Sequence, residues 1–136
     1  MNIGFPEDTV FSFASKYTSL RDVMMDHKLA SLGDTYVNFM FSLSLSESLG
    51  EPMGRKVSGY TLSSALKRAD LRRLLPARMD RHMQADAAEA LIVYSWITGL
   101  VSLKQGVETL MGEDPIDGFA LLLKNVADKV LSTFLF

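Results

Sequence analysis

The chain has 136 residues, of which 48% are hydrophobic and 22% charged, and it contains no cysteine. This composition predicts one globular domain with a hydrophobic core, and the lack of cysteine excludes a disulfide framework, a thiolate metal site and a cysteine nucleophile. No signal-peptide pattern opens the chain and no uncharged run reaches the ~20 residues of a membrane span, so we expect a soluble, cytoplasmic protein without membrane partners.

The charges are distributed unevenly along the chain. The net charge is −2, but residues 55–82 hold eight of the 14 basic residues against only two acids, Asp70 and Asp80. That segment is therefore +6 and the remainder −8, which indicates a polyanionic partner or, alternatively, a solvated helical face. The eight basic residues, all candidates for binding phosphates, are Arg55, Lys56, Lys67, Arg68, Arg72, Arg73, Arg78 and Arg81.

Helix signals begin at Ser19, because Asp22 follows three residues later in a spacing typical of a helix N-terminus. Residues 23–48 are rich in helix-forming types. Gly50 and Pro52 are expected to end this helix, since glycine favours a helix C-terminus and proline cannot continue one.

Loops and helices alternate in the middle of the chain. Residues 54–58 have the composition of a loop, and residues 61–75 indicate one or two basic amphipathic helices that Pro76 stops. Asp80 is a candidate cap for a long helix running to about Leu103, with Gly106 beyond its end.

The last helix is predicted to start at Asp114 and Pro115, with Asp117 in its first turn. Residues 91–97, LIVYSWI, have strand propensity, but their length without turn signals and their lack of alternation favour a buried helix. No repeat, low-complexity tract or linker interrupts the chain. The sequence therefore predicts an all-α fold in a single domain spanning residues 1–136.

Two apolar helical segments carry acidic residues. Residues 29–45 and 86–103 are apolar nearly all round, so we expect both helices to be central. Asp34 lies in the first, and Asp86 and Glu89 share one face at the start of the second. Acids in apolar surroundings are costly unless something pairs with them. If the two helices pack side by side, the three carboxylates converge and can bind one hard divalent cation such as Mg²⁺, with Mn²⁺ as a substitute.

The neighbours of Asp34 support this interpretation. Gly33 removes a side chain beside it, which lets another helix approach closely. Asn38 and His27 share its helical face: Asn38 is a candidate for orienting the carboxylate, and His27 for a ligand or a proton shuttle. On spacing alone, each acid could equally be a cap or a surface group, His27 an exposed residue, and Asn38 a side chain satisfied inside the core.

Both acidic segments match the motifs of a known family. LASLGDTYVNF (residues 29–39) resembles the signature helix of the ribonuclease III endonuclease domain, L-E-x-L-G-D followed by apolar residues. ADAAEALIVYSWI (residues 85–97) resembles its second motif, A-D-x-x-E-A-[LI]-[IL]. The order and the separation of about 50 residues also fit, and the match covers about residues 25–100. LASLGD resembles the compact mini-ribonuclease III branch, which lacks a double-stranded-RNA-binding domain, whereas DAAEA resembles the fuller members of the family.

The resemblance implies a helical-bundle endonuclease domain that works as a homodimer and cuts double-stranded or structured RNA, leaving a 5′-phosphate and a 3′-hydroxyl. Asp34, Asp86 and Glu89 would be the catalytic metal ligands for Mg²⁺, and the eight basic residues would hold RNA phosphates. Ala30 stands where the fuller family members carry a Glu, as it does in the mini branch. A further acid between the motifs has no clear match, and Glu47 and Glu51 are its candidates.

Two other functions are compatible with the sequence. One is a catalytically silent ribonuclease III-like RNA-binding or structural protein, which Ala30 supports. The other is an unrelated helical interaction protein. Tyr94 and Trp96 are expected in the core rather than as base-stacking platforms. Other large apolar residues are expected to form core or, in part, the surface between subunits: Phe39, Met40, Phe41, Phe134 and Phe136.

Overall fold

The computed structural model describes residues 10–134, and within that range the chain is helical with no strand. The all-α prediction is therefore confirmed. Two short 3-10 turns, Ser12–Lys16 and Arg72–Leu74, accompany the helices. The six α-helices are α1 (Leu20–Met24), α2 (His27–Leu49), α3 (Gly59–Arg68), α4 (Arg81–Ile97), α5 (Leu103–Leu110) and α6 (Pro115–Thr133).

The predicted helix starts are confirmed by side-chain caps. The side chains of Ser19 and Asp80 each accept a hydrogen bond from the amide three residues further on, at 3.0 and 2.9 Å. Asp114 accepts one from the amide two residues on, at 3.1 Å. Each cap satisfies an amide that has no partner inside the helix, which is why these local signals are readable from the sequence.

The predicted helix over residues 23–48 is wrong at its start, because the helix is interrupted at Asp26. The Asp26 carboxylate accepts hydrogen bonds from the amides of Lys28 and Leu29, at 2.9 and 3.2 Å, and so caps a new helix, α2. The predicted end is confirmed: Gly50 caps α2 with a φ of 75°, the left-handed conformation that favours glycine.

The long helix from Asp80 to Leu103 is also wrong at its end. It stops at Ile97, and Gly99 follows in the left-handed conformation with a φ of 75°. A capping box between Ser102 and Gln105 then starts α5, so two helices replace the one predicted. The glycine expected beyond the helix, residue 106, lies inside α5, packed against the side chain of Met40.

The expectation of two central helices is wrong for α2, which buries only one face, and confirmed for α4. This helix contacts α1, α2, α3 and α6, and nearly every residue from 84 to 95 is buried. Tyr94 is fully buried, as expected, but Trp96 is 39% exposed, so its assignment to the core is wrong. Trp96 lies at the surface because α2 covers only part of the helix there, and its ring packs against Tyr36 and Phe11.

The other large apolar residues divide between core and surface. Met40 is buried, and Phe41 is half-buried against Phe119. Phe39 is 54% exposed on the outer side of α2. Phe134 is half-buried and stacks on Tyr94, whereas Phe136 lies outside the described residues. In residues 10–134, no helix is both long and apolar enough to cross a bilayer.

Removing the Asp80 cap should destabilise the central helix. In Asp80→Ala the amide of Met83 loses its hydrogen-bond acceptor, and we expect the free energy of unfolding to fall by about 1 kcal/mol. Urea denaturation followed by circular dichroism measures this change. Asp80→Asn is the control, because Asn keeps a side-chain oxygen that accepts from the Met83 amide and caps a helix about as well as Asp, so its loss of stability should be much smaller. Equal losses in the two variants would contradict the prediction.

Candidate active site

The crossing of α2 and α4 brings two backbones unusually close at Gly33. A Cβ added to Gly33 would overlap the carbonyl oxygen of Glu89 and lie 3.1 Å from its Cβ. Only glycine permits this approach without displacement of a helix. The expectation that Gly33 admits a neighbouring helix is therefore confirmed, and the crossing sets Asp34 beside Glu89.

Three acidic side chains surround this crossing. Glu89 is 7% exposed, Asp86 is partly exposed and Asp34 is exposed. Burial raises the pKa of Glu89 to about 8, helped by the hydrogen bond that its protonated carboxyl donates to Asp34 and by the negative charges of Asp34 and Asp86. Glu89 therefore holds a proton near neutral pH, and a cation could take that proton's place.

The donor set fits a hard divalent cation in its chemistry but does not form a closed cage. Carboxylate oxygens are the ligands that Mg²⁺ prefers, and Mg²⁺ often uses only one or two of them with water completing the shell. Among the described residues, however, no three Asp, Glu or His side chains are grouped closely enough to hold a metal together. The structure thus has a carboxyl pair, Asp34 and Glu89, with Asp86 one helical turn away on α4.

His27 and Ala30 define the other side of the acidic cluster. The Nδ1 atom of His27 lies 3.6 Å from an Asp86 carboxylate oxygen, and both side chains are partly exposed. Ala30 is buried in the core one turn before Asp34. The position of the additional family acid is therefore apolar, and the group that reaches the cluster from the first turn of α2 is an imidazole.

Asn38 joins the acidic cluster to the loop between α2 and α3. Its Nδ2 atom donates to Asp34, at 3.2 Å, and its Oδ1 atom accepts from the backbone amide of Val57, at 2.8 Å. Asn38 thus bonds to the carboxylate with which it shares a helical face, and it also holds a segment that carries basic residues.

Three of the eight basic residues form ion pairs or bond to backbone carbonyl groups within the protein. Arg68 forms an ion pair with Asp117 at the start of α6, and Arg73 pairs with Asp70, at 3.0 Å. Arg72 donates to the carbonyl groups of residues 75–77 and so stabilises the turn before α4. The side chains of Arg68, Arg72 and Arg73 therefore make contacts within the fold.

The remaining basic residues are exposed. Arg55 and Lys56 lie in the loop that Asn38 holds beside Asp34. The guanidinium carbon of Arg81 lies 6.0 Å from the ring centroid of Tyr60, at the outer limit of a cation–π contact. Both Arg81 and the acidic residues of α4 are in the first half of that helix. The other two exposed basic residues are Lys67 and Arg78.

Sequence reasoning missed two serines that help to build this site. The hydroxyls of Ser42 and Ser46 bond to the backbone of residues 55 and 53, and their spacing of four from Asn38 was the available signal. Glu47, a candidate for a further acid, lies thirteen residues after Asp34 on the same helix, about 20 Å away at 1.5 Å per residue. That distance removes Glu47 from the acidic cluster of its own chain, and Glu51 lies beyond the end of the same helix.

The raised pKa of Glu89 predicts how stability depends on pH. Between the ordinary value of 4.5 and about 8, the folded protein keeps a proton that the unfolded chain releases. The free energy of unfolding should therefore decrease as pH rises from about 5 to 8 and level off above that. Urea denaturation in EDTA at a series of pH values tests this. A free energy that increases over the same interval would contradict it.

Comparison with known protein families gives a match that extends from α2 to α6. A family model described as Ribonuclease III matches residues 27–130, from the first residue of α2 into α6. No curated protein matches the sequence.

Proposed function

Because the chain belongs to the ribonuclease III family, we propose that it is an endoribonuclease that hydrolyses phosphodiester bonds in double-stranded or structured RNA with the help of Mg²⁺ or Mn²⁺. The observation that supports this most directly is the group of three acids at the α2–α4 crossing. A buried carboxyl whose pKa is about 8, next to two more acids, is costly to maintain and is typical of functional sites. The interpretation as an unrelated helical interaction protein is wrong, because the family match covers most of the chain.

Asp34 and Glu89 are the residues that would hold the cation, and Asp86, one helical turn away on α4, would reach it through a bound water. Bound there, a divalent cation would supply positive charge for a scissile phosphate and would favour the hydroxide form of water. The chain itself orients the donors. Gly33 sets the short distance between α2 and α4. Asn38 donates a hydrogen bond to Asp34 and so helps to hold the Asp34 carboxylate beside Glu89.

The exposed basic residues are suited to an RNA duplex. Arg55 and Lys56 lie in the loop that Asn38 holds, and Arg81 is five residues before Asp86 on α4. Duplex RNA is recognised through its shape, phosphates and 2′-hydroxyls, so contacts of this kind hold the backbone with little readout of sequence.

A homodimer is part of the proposal, and an apolar surface supports it. Leu32 and Phe39 are exposed on one side of α2, and Trp96 is exposed on the neighbouring part of α4. Large exposed apolar residues grouped in this way are typical of subunit interfaces. Phe39→Glu should therefore give a monomer that keeps its helical content. Sedimentation velocity distinguishes it from a wild-type species of twice the 15.1 kDa chain mass. A wild-type monomer would contradict this part of the proposal.

The test is metal-dependent cleavage. A labelled RNA duplex is incubated with the protein in Mg²⁺, in Mn²⁺ and in EDTA, next to a single strand of the same sequence. Cleavage of the duplex with either cation, and none in EDTA, is the expected result. A Glu89→Gln preparation purified in parallel excludes a contaminating nuclease. Cutting that persists in EDTA or in the variant would overturn the proposal.

One observation favours a second function, a catalytically silent RNA-binding protein. Ala30 leaves one side of the acidic cluster apolar, and the described residues contain no complete three-ligand group. Such a protein would bind the duplex in a gel-shift assay and leave it intact in both cations. Isothermal titration separates the two functions as well, because a silent domain should have no saturable Mg²⁺ site that depends on Asp86.

A further inference from the structure

Three polar side chains on α2 hold the loop segment 53–57 along the surface of the helix. Each accepts a hydrogen bond from a backbone amide, in every case at 2.8 Å: Ser46 from residue 53, Ser42 from residue 55 and Asn38 from residue 57. The Ser42 hydroxyl also donates to the carbonyl oxygen of Arg55, at 3.0 Å. The single proton of the Ser46 hydroxyl has two acceptors within reach, the carbonyl of Ser42 in its own helix at 2.8 Å and that of Met53 at 3.2 Å. We call this set the side-chain ladder.

The spacing of the ladder follows from helix and strand geometry. Residues four apart on a helix are separated by about 6 Å along its axis, and residues two apart in an extended chain by about 6.6 Å. The three side chains can therefore contact alternate residues, one each, of an extended segment that runs antiparallel to α2. Ser46 contacts residue 53, Ser42 residue 55 and Asn38 residue 57. The ladder thus sets the register of residues 53–57 on α2, as a neighbouring strand would.

The alternate residues of the segment are directed away from the ladder. No hydrogen bond among the described residues engages the amides of Gly54 or Lys56, and both residues are exposed. Arg55 is exposed as well, and its Nη2 atom donates to the sulfur of Met53, at 3.6 Å. The segment therefore presents basic side chains and free amides to solvent, and the Val57 end of the segment is fixed beside Asp34 through Asn38.

We propose that segment 53–57 is a strap that binds RNA phosphates next to the acidic cluster, and that Asn38, Ser42 and Ser46 are positioning residues that set its register. This inference rests on the proposed function, since it concerns how that substrate is held. Two amides and two basic side chains on one short segment suit phosphate oxygens, which accept hydrogen bonds and carry negative charge. Asn38 links the strap to the acidic cluster, because its side chain hydrogen-bonds both to the amide of Val57 and to the Asp34 carboxylate.

The test uses Ser42→Ala/Ser46→Ala, which removes two ladder positions but leaves Asn38 and Asp34 intact. Hydrogen exchange of the Met53 and Arg55 amides should become at least about tenfold faster, because each loses its acceptor. The affinity for a labelled RNA duplex in EDTA, measured by fluorescence anisotropy, should fall about tenfold. In Mg²⁺, KM should rise by a similar factor while kcat changes less than about twofold.

Two further variants separate positioning from general damage. Ser42→Thr/Ser46→Thr keeps both hydroxyls and should restore RNA affinity to within about threefold of the wild type. Ser48→Ala is the matched control on α2, because within residues 10–134 its hydroxyl bonds only to the carbonyl of Ser44 in its own helix. It should leave RNA affinity and amide exchange unchanged.

The outcomes identify which claim fails. Unchanged amide exchange in the double alanine variant would overturn the ladder. Faster exchange with RNA affinity and KM equal to those of the wild type would overturn the strap while leaving the proposed nuclease intact. A wild-type protein that neither binds nor cuts the duplex would overturn the proposed function itself, and the strap with it.

Discussion

Replacing Glu89 by Gln is expected to abolish RNA cleavage while making the protein more stable at pH 8. Gln keeps the shape of the side chain and can still donate to Asp34, but it cannot become a negatively charged ligand. We expect cleavage to fall at least about a thousandfold. The same change removes a carboxyl that is costly to ionise when buried, so the free energy of unfolding at pH 8 should rise by roughly 1–3 kcal/mol.

The two effects are measured independently. Single-turnover cleavage gives the first, and urea denaturation in EDTA at pH 5 and pH 8 gives the second. At pH 5 the wild-type carboxyl is protonated, so the variant and the wild type should have nearly equal stability. Glu108→Gln, an exposed substitution on α5, is the control and should change neither quantity. A variant that is less stable at pH 8 would show that Glu89 is a structural acid rather than part of a cation site.

Gly33→Ala is expected to destabilise the protein by about 3 kcal/mol or more. The added methyl group would overlap the backbone carbonyl of Glu89, and a backbone atom cannot move aside as the end of a flexible side chain can. The helices must separate or rotate, so the hydrogen bond from Glu89 to Asp34 should also break. Any folded fraction should therefore have lost the raised pKa of Glu89 and the pH dependence of stability that follows from it.

Gly59→Ala provides the matched control for this substitution. Gly59 is the first residue of α3, and a Cβ there would lie 3.9 Å from that of Ala85, an ordinary contact. Because Ala has the higher helix propensity, this variant should be as stable as the wild type or slightly more so. Thermal unfolding of both variants tests this difference. A Gly33→Ala protein whose unfolding temperature equals that of the wild type would exclude a close backbone contact at the crossing.

Local signals predicted the helix starts, but competition between neighbouring signals was not visible in the sequence. Ser19, Asp80 and Asp114 cap helices because each needs only amides two or three residues away. The break at Asp26 was missed, since apolar residues continue on both sides of it and conceal the new cap. The early end of α4 was missed for the same reason: Gly99 interrupts a run that is otherwise apolar.

The contact between Asp34 and Glu89 was predictable from the sequence, but the contacts of the arginines and serines around them were not. Gly33 next to Asp34 indicates a close crossing, and one acid on each helix then suggests contact. The partners of Arg68 and Ser42 lie 49 and 13 residues away, and their contacts depend on how loops fold back on helices. A basic residue looks the same in the sequence whether it is paired or exposed, and a serine on a helix gives no sign of the loop that it binds.

The exposed ring of Trp96 gives the protein its own optical reporter. It is the single tryptophan of the chain, and it lies against Tyr36 on α2, beside the apolar surface proposed to join two subunits. Covering that ring would move its emission to shorter wavelength, while water leaves it at longer wavelength. Dilution of the unlabelled protein should therefore shift the emission maximum to the red as subunits separate, so that the dissociation constant is obtained without a dye, a tag or a substituted residue.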